Sequence, residues 1–102
     1  RYARAYAYHK DARIDMAIAE TDALLAAEPD NPWFLELKGQ VLLESGRPKD
    51  ALAPLRRATE LTLAQPLIAG LLGHALIATE DPANFAEAEG VLRASVQKDR
   101  YN

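Results

Sequence analysis

Small residues recur along the chain at one fixed interval: Ala5, Gly39 and Gly73 stand 34 and 34 residues apart. Each is followed three residues later by a larger side chain, Tyr8, Leu42 and Leu76. Nine residues beyond the first two of these come Ala17 and Ala51. The third counterpart, Ala88, arrives three residues late, which predicts a three-residue insertion around Asp81–Phe85. After it the register holds, with Leu55 and Leu92 four residues on and Ala58 and Ser95 three beyond; Thr21 and Leu24 fill these places in the first unit. A period of roughly 20–50 residues marks stacked repeats, each too small to bury its own apolar face. A small residue on one helix lets a neighbour approach to an interaxial distance of about 8–10 Å. The pattern therefore predicts helix pairs stacked side by side.

Boundary signals divide the chain into six helices, at roughly 1–10, 13–27, 32–45, 48–61, 66–79 and 83–98. Asp30-Asn31-Pro32 offers a cap and then a proline at the first helical position, where the missing N–H costs nothing. Ser45-Gly46-Arg47-Pro48 ends one helix with glycine and opens the next with proline, and Gln65-Pro66 and Asp81-Pro82 repeat the device. Pro54 falls in the second turn of its helix, where an interior proline costs about 3 kcal/mol or a kink. Either that helix starts late or it bends there.

These features resemble the tetratricopeptide repeat along the whole chain. Gly39, Leu42, Ala51, Leu55 and Ala58 match its pattern in the middle unit, Leu72, Gly73 and Leu76 in the third, and Pro29 closes the first. The chain departs from it at Leu63, where proline is usual, and at Lys38, where the family has leucine. The resemblance implies an all-α fold: a right-handed α-α superhelix of three helix-turn-helix repeats, about 1–31, 32–65 and 66–102, in one domain spanning 1–102. A closer resemblance lies in Ala27-Glu28-Pro29-Asp30-Asn31-Pro32, Glu36-Leu37-Lys38-Gly39-Gln40 and Leu43-Glu44-Ser45-Gly46-Arg47-Pro48. These runs look like the C-terminal repeat region of bacterial extracytoplasmic zinc metallopeptidases of the BepA/YfgC kind. In that family a separate N-terminal domain carries a His-Glu-x-x-His motif, and the repeats contact the catalytic domain and partner proteins. The resemblance implies a periplasmic setting; without it, a cytoplasmic one is expected. A chain that lacks an initiator Met reads as a piece of a longer one.

The inventory for catalysis is thin. His9 and His74 belong to first helices two repeats apart; at about 10 Å between successive equivalent helices they stand roughly 20 Å from each other and share no metal. There is no cysteine to supply a thiolate nucleophile or ligand, and no serine has a His-Asp partner set. The five glycines are dispersed and form no phosphate loop. Glu87 with Glu89, and Asp11 with Asp15, read as solvated helix faces. A net charge of -3 with scattered basic residues speaks against a nucleic-acid surface. No apolar run approaches the roughly 18 residues of a membrane span. The expectation is a chain with no enzymatic constellation, no metal and no cofactor.

In the tetratricopeptide family the first helices line a concave groove. Positions three before, one after, and four or five after the small residue give Tyr2, Tyr6, His9 and Lys10 in the first unit. They give Glu36, Gln40, Leu43 and Glu44 in the second, and Gly70, His74, Ile77 and Ala78 in the third. Trp33 and Leu67, six before, form an entrance wall, whereas Tyr8 and Leu42 are expected in the core. A mixed apolar and polar groove suits an extended peptide or a docked helix. Paired Lys and Asn, which clamp a C-terminal carboxylate in some members, are replaced here by Tyr2, Tyr6 and Gln40. The expected function is protein–protein interaction through the groove; the alternatives are an accessory region of a metallopeptidase and a structural spacer. Val91, Leu92 and Val96 form an apolar stripe on the last helix, from which self-association is expected.

Overall fold

A computed structural model describes the backbone of residues 2–101 and the side chains of residues 13–97. The described residues form five α-helices and one 3-10 turn, with no strand. The helices are α1 (Tyr2–Ala27), α2 (Pro32–Glu44), α3 (Pro48–Leu61), α4 (Pro66–Ala78) and α5 (Phe85–Tyr101). The 3-10 turn, Pro82–Asn84, is three residues long and lies where the third repeat runs three residues late.

Local chemistry accounts for the helix starts. Asn31 accepts hydrogen bonds from the amides of Trp33 and Phe34 at 3.0 and 3.3 Å, with Pro32 opening α2. Gln65 caps α4 by accepting from the Ile68 amide at 3.0 Å, and Asp81 accepts from Ala83 at 3.0 Å. These bonds satisfy amides that have no partner inside the helix. Helix α2 ends at a glycine in the left-handed region, Gly46 at φ 80, with the Arg47 amide reaching back to the Leu42 carbonyl. Leu63 and Ala64 also take left-handed values, φ 54 and 63. A proline at 63 is locked near φ −65° and has no place in that turn, so the departure from the repeat pattern there has a backbone reason.

The first repeat differs from expectation. Helices at 1–10 and 13–27 were predicted, giving six in all; α1 instead runs unbroken over 26 residues. Lys10-Asp11-Ala12-Arg13 contains neither glycine nor proline, and nothing in it obliges the chain to turn. The described residues thus comprise one long helix followed by two helical hairpins, α2–α3 and α4–α5. Helix α3 starts at Pro48, not late, and carries Pro54 inside it.

The hairpins share one packing device. Gly39 on α2 faces Leu55 on α3, and Gly73 on α4 faces Leu92 on α5; a Cβ added at either glycine would lie about 2.5 Å from the leucine. Ala51, Ala58, Ala75 and Ala88 are buried around these crossings, where small side chains keep the helices close. Leu42, Leu52, Leu55, Leu72 and Leu76 fill the main core, with Ile18 of α1 and Val91 of α5 packed against it. A smaller cluster joins Leu35, Ala58 and Ile68, with Leu25 of α1 alongside. Thr21, in Leu55's place in the first unit, is buried and donates its hydroxyl to the Ile18 carbonyl at 2.8 Å.

The stripe expected on the last helix is largely internal. Leu92 is spent against Gly73 and Val91 against the core, leaving Val96 exposed.

Candidate binding groove

Helices α2 and α4 lie side by side, and a groove of about 590 Å³ opens between them. Glu36, Gln40, Leu43 and Glu44 line one wall, and Leu67, Leu71, His74 and Ala78 the other. The α4 set steps by four, three and four residues, and on α2 Glu36, Gln40 and Glu44 step by four with Leu43 beside them, so each set is one stripe of its helix.

Five of the anticipated groove residues, Glu36, Gln40, Leu43, Glu44 and His74, meet in this groove together with Leu67 and Ala78. Tyr2, Tyr6, His9 and Lys10, and the core assignment of Tyr8, lie outside the described residues. Trp33 and Ile77 are exposed but do not line the groove. Trp33 instead borders a hollow of about 520 Å³ formed with Glu28, Pro29, Asp30, Asn31 and Pro32.

The pattern of hits and misses follows from geometry. A groove between two helices uses one edge of each, whereas a 34-residue shift copies the same edge onto every helix. Trp33 is the repeat counterpart of Leu67, and Ile77 that of Leu43. In each of these pairs one member lines the groove and the other does not, whereas Gln40 and Glu44 line it together with their counterparts His74 and Ala78. Leu71 was missed for the same reason. It is four residues after Leu67 and three before His74, a helical stripe visible in the sequence once α4 is read for its own periodicity.

The groove is acidic on the α2 side. Partial burial pushes the Glu36 carboxyl above its ordinary value of 4.5. Gln40 donates from Nε2 to Glu44 Oε1 at 3.2 Å, which fixes one carboxylate along the rim. No lysine or arginine lines the groove among the described residues. Four of the described cations are engaged elsewhere: Lys38 with Asp22, Arg56 with Glu87, Arg57 with Asp30 and Glu60, and Arg93 with Glu89. The Arg56–Glu87 pair is two-pronged, at 2.9 and 2.7 Å, and ties α3 to α5 across the hairpins. That hydrogen bonding holds Glu87 below its ordinary value and Arg56 above its own.

No group of three or more His, Asp or Glu side chains is placed to hold a metal among the described residues, and none of their helices is long and apolar enough to cross a membrane. Comparison with protein-family models, curated proteins and solved structures gives no match. The groove's own geometry carries the functional reading.

Proposed function

We propose that the chain is a protein-binding module of the tetratricopeptide type, which holds a peptide segment of a partner in the α2–α4 groove. The observation that carries this reading is the groove itself: leucines on both walls beside carboxylates, an amide and an imidazole that are not consumed in the core. Apolar walls supply area for affinity, and a few fixed polar groups supply orientation. The matched Gly39–Leu55 and Gly73–Leu92 crossings support a repeat architecture, and a right-handed superhelix is part of the proposal. Self-association through α5 has Val96 alone to support it.

The test is to fill the groove. Gln40→Trp puts a large ring at an exposed position of α2 without touching the core. Proteins captured from the source cell by the wild-type chain are expected to be lost with Gln40→Trp and kept with Lys49→Ala, on the exposed surface of α3. Capture that survives Gln40→Trp unchanged removes the groove reading.

A further inference from the structure

Resting on that reading, we infer that the α2–α4 groove takes an extended peptide in which two basic side chains flank an apolar one, the basic groups meeting Glu36 and Glu44 and the apolar one resting on Leu67 and Leu71.

Charge selects the class. The ionised groups on the groove wall are Glu36 and Glu44, and no described cation pairs with either, while four other carboxylate-bearing surfaces of the protein carry their own arginine or lysine. A ligand cation would supply the charge that the fold does not place on this wall. An acidic ligand would meet two carboxylates with no compensating cation, a repulsion that costs affinity and on-rate. Burial already disfavours the charged form of Glu36, so an arriving ammonium or guanidinium gains more there than at a fully solvated carboxylate.

Spacing selects the form. Glu36 and Glu44 are eight residues apart on α2, about 12 Å along the axis at 1.5 Å per residue. In an extended segment, residues four apart are separated by about 13 Å and point to the same face, with the residue midway between them pointing there too. The pattern basic-x-apolar-x-basic therefore matches both carboxylates and brings its central side chain to the leucine wall.

The experiment selects a phage-displayed library of random nonapeptides on the whole chain, then measures the recovered sequences as synthetic peptides. Supporting the proposal, Lys or Arg is enriched at positions four apart with an apolar residue midway. Glu36→Gln and Glu44→Gln each weaken binding about three- to tenfold, added salt weakens it further, and both variants melt no lower than wild type. Basic residues enriched seven or eight apart would overturn the extended form in favour of a helix. Peptides with no basic preference, whose binding Gln40→Trp abolishes, would overturn the charge selection and leave the groove reading standing. No enrichment at all would overturn both.

Discussion

Leu55 occupies the space that any side chain on Gly39 would need: a Cβ there would lie 2.5 Å from Leu55 Cδ2. Leu55 has no exposed surface and nowhere to retreat. Overpacking of this kind costs about 1–3 kcal/mol, against about 1 kcal/mol gained when alanine replaces a helical glycine. The net is about 0–2 kcal/mol, and because Leu55 is fully buried Gly39→Ala is expected in the upper half of that range, a loss of about 1–2 kcal/mol in urea melts. Gly73→Ala meets Leu92, which is only half-buried and can shift outward, so its loss should stay below about 1 kcal/mol. Equal losses would mean that the two crossings do not differ in freedom as their burial indicates.

Pro54 leaves the Asp50 carbonyl of α3 without its intrahelical donor, since proline has no N–H. Pro54→Ala restores that donor. An interior proline costs about 3 kcal/mol in a helix, partly offset because proline also stiffens the unfolded chain by about 0.4–1 kcal/mol. A gain of about 2–2.6 kcal/mol is expected. For a chain of this size it would raise Tm by about 4–8 °C for each kcal/mol. A lower Tm would show that α3 uses the proline to shape its course against α4.

Helix boundaries were legible because they depend on neighbouring residues. Asn31-Pro32, Gly46-Arg47-Pro48 and Gln65-Pro66 each carry their own cap chemistry, and the late arrival of Ala88 located the 3-10 turn at Pro82–Asn84. The hairpin expected in the first repeat had no such local signal, only the spacing of Ala5 and Ala17. Spacing predicts which residues could pack, not where a helix must break. Leu92 carried two readings, an outward stripe with Val96 and an inward counterpart of Leu55. The inward one prevails, because Gly73 leaves a hole that only a side chain of α5 can fill. The groove was half legible for a similar reason: the sequence shows which residues repeat, but which edge of α4 faces α2 is set by the packing between hairpins.

The Arg56–Glu87 bridge makes stability depend on acid in a defined window. Its hydrogen bonding lowers the Glu87 pKa in the folded state, so its contribution is present above the ordinary carboxylate value of 4.5 and is lost as pH falls through the lower folded value. Arg56 stays charged throughout and adds no pH dependence of its own. Both side chains keep about two-fifths of their surface in solvent, which limits the pair to about 0.5–1 kcal/mol. Glu87→Gln should cost that much at pH 7 and nothing at pH 2. A deficit that persists unchanged into acid would assign Glu87 a packing role in place of an ionic one.

Glu36 behaves in the opposite sense. Desolvation raises its folded pKa, so the folded state favours the protonated carboxyl. That contribution is full below the ordinary value of 4.5 and is lost as pH rises through the raised folded value. At pH 7 the charged carboxylate is therefore a small burden on the fold. Glu36→Gln keeps the shape and removes the charge, and is expected to raise stability at pH 7 by less than about 1 kcal/mol, with the gain vanishing in acid. Thermal melts at pH 7 and pH 3 would measure it. A residue whose replacement strengthens the fold while weakening peptide capture is held for the ligand; a loss of stability at pH 7 would instead make Glu36 a structural part of α2.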